Sequence, residues 1–187
     1  TMDYISGTGF TMEGYPARGL FSIKFAGLDK EGIPMFYNEK GEITQTDLSF
    51  QGGDDFSWLK YEGSIDPTFT GSLGNTFTYK NFHLNVYLTY SGGNVVRLDP
   101  VFSAQYSDLT AMTREFKNRW MIPGDENKTN IPTILSYRQY YENSLLTTAY
   151  NAYNYSTERV AKGGFIRLKE ISLGYDFPKK LIDPLKI

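Results

Sequence analysis

The protein has 187 residues, with 19 Lys+Arg against 21 Asp+Glu and a formal net charge of −2. That balance speaks against a dedicated nucleic-acid or polybasic membrane-surface protein, since both rely on clustered positive charge. Without Cys there is no disulfide, thiolate nucleophile or Cys-ligated metal centre, and with His83 as the single His no two-His metal site forms within the chain. No GK[ST] phosphate loop is present, Gly7-Thr8-Gly9 lacks the dinucleotide spacing, and no run of about 18 apolar residues marks a membrane helix. No cofactor is expected. The 15 Tyr, 13 Phe and 18 Gly point instead to β structure with many turns.

In chain order, residues 19–28 alternate with Phe21, Ile23 and Phe25 on one face and read as a strand, followed by a turn at Asp29-Lys30-Glu31-Gly32. Residues 34–38 and 43–50 read as weaker strands, and 51–57 as a polar Gly-rich loop. The most informative stretch is 67–92. In 68–79, Phe69, Gly71, Leu73, Asn75, Phe77 and Tyr79 share one face, opposite a face of Thr, Ser and Gly. In 82–90, Phe82, Leu84, Val86, Leu88 and Tyr90 lie opposite His83, Asn85, Tyr87 and Thr89. Only Lys80-Asn81 separates the two segments, which predicts a tight antiparallel hairpin.

These segments are long. Soluble strands centre on about 5–6 residues, whereas a tilted bilayer-crossing strand needs about 9–11. Aromatics mark both ends of the apolar faces, as two interfacial girdles require, and the polar faces are small hydroxyls and amides suited to a watery lumen. A soluble sandwich strand also alternates, so a soluble β-sandwich carbohydrate-binding module is the competing reading. It requires Phe69, Leu73, Phe77, Leu84, Val86 and Leu88 to be buried in protein.

Residues 93–163 break the pattern. Within 107–119, Leu109, Met112 and Phe116 stand near helical spacing, with Ser107 or Asp108 as N-cap, which predicts the chain's most prominent helix there. Residues 127–159 are polar and rich in Tyr. A connection of about seventy residues far exceeds the ordinary 2–6 and reads as a functional or partly folded external loop. Strand character returns over 164–177, with Ile171, Leu173, Tyr175 and Phe177 on one face. Arg167 and Lys169 share that parity, which places them at or above the membrane interface, where a lipid-facing charge costs about 0–1 kcal/mol instead of about 2–4.

Four strings, "GYPARGLFSIKFAGLDKEGIPMFYNEKGE" (14–42), "GSIDPTFTGSLGNTFTYKNFHLNVYLTYSGG" (63–93), "FKNRWMIPGDENKTNIP" (116–132) and "ERVAKGGFIRLKEISLGYDFPKKLI" (158–182), occur in this order. Together they resemble the C-terminal barrel region of SusC/RagA-type TonB-linked outer-membrane proteins. The resemblance implies an all-β fold, a long-stranded antiparallel sheet that forms part of a large transmembrane β-barrel, with one long loop carrying a short helix. Residues 1–187 would be a partial C-terminal barrel region, with Lys80-Asn81 a periplasmic turn and 93–163 an extracellular loop. It implies a fragment of a nutrient importer in the outer membrane, not an enzyme, that takes an oligosaccharide or peptide substrate, meets a SusD-like surface lipoprotein and TonB through other parts of the parent, contacts membrane lipid and binds no nucleic acid. The chain shows no signal peptide, plug or final strands of that plan.

Candidate site residues divide between functional and structural roles. Tyr137, Tyr140, Tyr141, Tyr150, Tyr153 and Tyr155 crowd the long loop, where they would contact a sugar or a protein lid, or pack the loop against itself. His83 reads as a lumen-facing hydrogen-bonding residue or as a lone catalytic base. Asp29, Glu31, Asn38 and Glu39 offer oxygens for Ca²⁺ or, more simply, hairpin-turn chemistry. No carboxylate pair sits in the apolar setting that glycoside hydrolysis needs.

Overall fold

The computed structural model describes residues 2–48, 56–102 and 113–178. Strands among these residues are β1 (Gly19–Ser22), β2 (Phe25–Leu28), β3 (Pro34–Tyr37), β4 (Ile43–Thr44), β5 (Lys60–Ser64), β6 (Phe69–Tyr79), β7 (Phe82–Gly92), β8 (Val95–Arg97), β9 (Val160–Lys162) and β10 (Phe165–Tyr175). The helices are α1 (Met2–Ile5), α2 (Tyr137–Glu142) and α3 (Leu146–Asn154), with single 3-10 turns at Arg114–Asn118, Asp125–Asn127 and Thr157–Arg159. The fold is all-β in character, and the strands pair antiparallel. It separates into two compact units, one running up to Asp66 and taking in Val95–Lys162, the other Pro67–Asn94 with the residues from Gly163 on.

The second unit is a three-stranded sheet in the order β10-β7-β6, each strand 11 residues long. The hairpin read from the alternation is there: β6 and β7 stay in register from Phe69↔Gly92 to Tyr79↔Phe82. Lys80 turns the chain with φ 53°, a left-handed conformation uncommon outside glycine. Register fixes the faces. Leu73↔Leu88, Phe77↔Leu84 and Tyr79↔Phe82 share one, and Ser72↔Thr89, Thr76↔Asn85 and Thr78↔His83 the other.

Strand β10 joins β7 with a bulge. Leu168 faces Leu88 and Glu170 faces Tyr87, which leaves Lys169 as the extra residue. The bulge reverses the phase of the strand, because one added residue exchanges the two faces. Ile166 and Leu168 therefore lie on the apolar side with Ile171, Leu173 and Tyr175, while Arg167 stands opposite Thr89 on the polar side. This corrects the parity reading that put Arg167 on the apolar face.

The first unit is built from short pieces: β1 with β5, β2-β3-β4, and β8 with β9. Its core gathers Phe21, Ile23, Ile33, Phe36, Trp58, Leu59, Phe102, Phe116, Ala149, Tyr150 and Tyr153. Residues 95–162 thus fold together with the chain up to Asp66 instead of standing as a separate excursion. Of the helix expected over 107–119, residues 107–112 lie outside the described residues, and Arg114–Asn118 make a 3-10 turn with Phe116 buried. The longest helix among the described residues is α3, which buries Leu146, Ala149, Tyr150 and Tyr153. Their spacing of three or four residues was legible but hidden among Thr, Asn and Tyr. The start of α2 carries a full capping box: Ser136 Oγ accepts the Gln139 N–H at 3.2 Å, and Gln139 Oε1 accepts the Ser136 N–H at 3.0 Å.

A tight approach joins the turn after β2 to the segment after Phe116. Gly32 has φ +78°, and a Cβ there would lie 2.5 Å from the Trp120 ring. The Thr133 N–H donates to Gly32 O at 3.1 Å, beside the same ring. Only glycine leaves the indole room to lie flat on the turn.

Candidate functional site

On the polar face of the β10-β7-β6 sheet, side chains are linked across all three strands. Asn85 bonds to Thr76 at 3.1 Å on one side and donates to Glu170 Oε1 at 3.1 Å on the other, and Ser172 reaches the same carboxylate oxygen at 3.3 Å. One rung nearer the turn, His83 Nδ1 meets the Thr78 hydroxyl at 3.2 Å and Nε2 meets Asp176 Oδ2 at 2.7 Å. Asn81 and Asp176 exchange two further bonds at 2.8 Å each, so the Lys80-Asn81 turn is tied to the end of β10. His83 thus sits as a bridging hydrogen-bonding residue, with its side chain 40% exposed and its partner carboxylate 76% exposed. Ladders of this kind stabilise a wetted sheet face, each pair contributing about 0.2–1 kcal/mol.

The opposite face is apolar and bare. Phe69, Leu73 and Phe77 are 56%, 60% and 56% exposed, and Ile166, Ile171 and Leu173 are more exposed still. Leu84, Val86 and Leu88, on the central strand, are half-buried between their neighbours. The sandwich reading required all six residues first named for it to be buried, and the exposure of Phe69, Leu73 and Phe77 sets it aside.

In the first unit, buried polar side chains lock the chain where strands are short. The Arg97 guanidinium donates to the carbonyls of Ser156 (2.9 Å), Ile5 (3.1 Å) and Phe21 (2.6 Å), and burial draws its pKa down to about 10. Arg159 pairs with Glu115 at 2.7 Å and donates to Asp99 O at 2.8 Å. Asn154 Oδ1 accepts the N–H groups of Val101 and Phe102, and its Nδ2 returns a bond to Phe102 O. A planar guanidinium or amide satisfies several backbone groups at once, as a buried non-sheet segment requires.

The six loop tyrosines are not brought together. Tyr150 and Tyr153 are core residues, their rings edge-on to Phe102 at 4.9 and 5.3 Å, and burial raises the Tyr153 hydroxyl pKa. Tyr155 packs against the same core. Tyr137 and Tyr141 are 75% and 70% exposed, ring centroids 4.8 Å apart, with Tyr140 beside them. The hydrogen bond with Tyr141 is the main cause raising the Tyr137 pKa. These three form a small aromatic surface on α2.

Asp29 and Asn38 work as turn residues. Asp29 Oδ1 accepts the N–H groups of Glu31 and Ile33, and Asn38 Oδ1 those of Lys40 and Glu42. Beside the second of these turns lies a cleft of about 350 Å³ lined by Lys24, Tyr37, Glu39, Lys40 and Trp58, which the sequence did not signal because Lys24 and Trp58 are far apart along the chain. The turn after Trp120 is held by carboxylates. Asp125 Oδ2 accepts the N–H groups of Met121 and Ile122, and Glu126 Oε2 accepts the Trp120 indole N–H and the Gly124 N–H. The Ile122 N–H and then Lys128 hold the Asp125 pKa below its ordinary value; for Glu126 its own backbone N–H, then Trp120, do the same.

No family model matches the chain. In an alignment of 170 positions that covers 84% of the chain, it is 28% identical to TonB-dependent receptor P3 of Formosa agariphila. In three dimensions 94% of the chain matches a chain of the RagAB peptide transporter structure, with a TM-score of 0.61 and 19% identity. The chain spans 15% of the length of that relative and 18% of that solved chain. It is thus similar in sequence to a TonB-dependent receptor and shares the fold of a section of the transporter, in line with the resemblance to SusC/RagA-type proteins.

Proposed function

We propose that the chain forms a section of an outer-membrane TonB-dependent importer of peptides or oligosaccharides. The observation that carries this reading is the two-faced sheet of 11-residue strands, one face apolar and exposed, the other polar and cross-linked by hydrogen bonds. Eleven residues at about 3.4 Å give a strand about 37 Å long, enough to cross a membrane's apolar band of about 25 Å when tilted. On this reading Phe69, Leu73, Phe77, Ile171 and Leu173 face lipid, and His83, Asn85, Glu170 and Arg167 face the wet interior. The segment 93–163 lies outside the cell, folded with residues before Asp66. Tyr137, Tyr140 and Tyr141 offer the aromatic contact to substrate or to a SusD-like lipoprotein lid. Energy reaches the barrel through TonB at parts of the parent outside this sequence. The likeness to a TonB-dependent receptor and to a peptide transporter supports the class, and no catalytic role is assigned to this chain.

The test is residue accessibility in outer membranes. The stretch contains no Cys, so single cysteines in a cysteine-free full-length parent report their own environment. Ser172→Cys and Thr76→Cys should react with a small water-soluble maleimide, and Leu173→Cys and Leu73→Cys should resist it until detergent is added. Equal labelling of Ser172→Cys and Leu173→Cys in intact membranes would refute the wall. Uptake of labelled peptides and oligosaccharides by cells with and without the gene then separates the two substrate classes.

A further inference from the structure

We propose that the cleft beside the turn between β3 and β4 binds a carboxylate-bearing unit of the ligand, held by Lys24 and Lys40 and laid against Tyr37. The cleft is about 350 Å³, inside the range of about 300–1,000 Å³ usual for small-ligand sites. Its walls are held by the fold. Lys24 sits in the link between β1 and β2, and its carbonyl accepts the Tyr37 N–H at 3.0 Å. Lys40 sits in the turn that Asn38 Oδ1 holds through two backbone bonds.

Among the described residues neither Lys24 nor Lys40 has an ion-pair partner. Glu39 is the single carboxylate lining the cleft, so the lining carries one net positive charge. A second carboxylate balances it. Tyr37, 38% exposed, lines the same cleft and supplies aromatic surface to it. Trp58, 6% exposed, closes the wall. Two cations and an aromatic side chain lining one cleft are features that recognise a carboxylate attached to a ring or an apolar stem. Two sources present that group: a uronic acid in an oligosaccharide, or the C-terminus of a short peptide.

The inference rests on the reading of this chain as a section of an importer of peptides or oligosaccharides. The experiment is calorimetric titration of the full-length protein in detergent with four probes: a uronic acid trisaccharide, its neutral counterpart, a tripeptide with a free C-terminus, and the same tripeptide amidated. One acidic probe should bind at least tenfold more tightly than its neutral partner, and which one binds names the source. Lys24→Gln with Lys40→Gln should weaken it tenfold or more and Lys40→Gln alone by a smaller factor, while Glu39→Gln leaves it unchanged or tighter. Lys40 is exposed, so its single variant keeps the test valid if the double variant does not fold. The site is refuted if neither acidic probe binds, if neutral probes bind equally, or if the lysine variants bind like the parent. A protein that passes the cysteine-labelling test and fails here loses this site alone; one that fails that labelling test and binds here loses the barrel assignment alone.

Discussion

Arg167 stands directly opposite Thr89 in the antiparallel register of β10 and β7. A continuous strand would have put it with Ile171 and Leu173 on the apolar face. The extra residue at Lys169 moves it across, and there its guanidinium lies 4.7 Å from the centre of the Phe165 ring.

Deleting Lys169 should therefore leave the faces as they are, whereas deleting Lys169 and Glu170 together should damage the barrel. Leu168 and Glu170 already face consecutive residues of β7, so without the extra residue the strand alternates plainly, with Arg167 still on the polar side and Ile166, Leu168 and Ile171 still on the apolar side. Loss of both residues joins Leu168 to Ile171, turns Arg167 toward lipid and turns Ile166 and Leu168 inward. A lipid-facing Arg costs about 2–4 kcal/mol at mid-bilayer and about 0–1 near the interface. The amount of heat-modifiable folded protein in outer membranes compares the two. Equal yields would mean that the bulge does not set the faces.

Val86→Arg should impair assembly where Asn85→Arg does not. Val86 lies between Asn75 and Ile171 on the apolar face, whereas Asn85 lies within reach of Glu170, which an Arg at 85 can pair with. The expected penalty is again about 2–4 kcal/mol for the lipid-facing change and much less for the wetted one. The same gel assay decides it.

How far the sequence could be read follows from this sheet. The β6–β7 hairpin was legible because both strands alternate without a break and only two residues join them. The bulge was visible only as a conflict, two cations on an apolar parity, which has a second solution in placing them at the interface. In the first unit the strands are two to five residues long. Their order depends on the half-buried Arg97 and the buried Arg159 and Asn154, whose bonds reach residues more than forty positions away, and no local period encodes that. The tyrosines show the same limit, since residue type alone does not separate Tyr153 in the core from Tyr137 at the surface.

That separation is testable. Tyr153→Ala should cost about 3–5 kcal/mol through the cavity left against Phe25 and Phe102. Tyr137→Ala and Tyr141→Ala should leave stability within about 0.5 kcal/mol and lower substrate uptake or lipoprotein association. Limited proteolysis of the first unit reads the first effect, and transport assays the second.

Arg97→Lys should destabilise the first unit nearly as much as Arg97→Met. A single ammonium does not reproduce the fork that reaches Ser156, Ile5 and Phe21. Leaving buried carbonyls without donors costs about 1–3 kcal/mol. Protease-resistance midpoints in denaturant compare the variants; wild-type resistance in Arg97→Lys would show that charge alone suffices.

The turn after Trp120 should hold at neutral pH and loosen in acid. Asp125 and Glu126 both have pKa values lowered by hydrogen bonds in the folded turn. Their contribution is therefore complete above the ordinary carboxylate values of 3.8 and 4.5 and is lost as pH falls through the lowered folded values. Trp120 fluorescence in a Trp58→Phe background should report the change. Asp125→Asn with Glu126→Gln should flatten the acid limb.

The seating of Trp120 on Gly32 also carries an order of events. The turn at Gly32 closes through the Asp29 side chain and its neighbour Ile33, a span of four residues. The indole that covers it comes from 120 − 32 = 88 residues further along. Closing a loop of that size costs far more chain entropy than closing the turn, so the turn forms first and serves as the template on which the distant ring lands. A side chain at position 32 would leave that early turn under strain and block the landing, which makes Gly32 a determinant of folding rate as well as of stability.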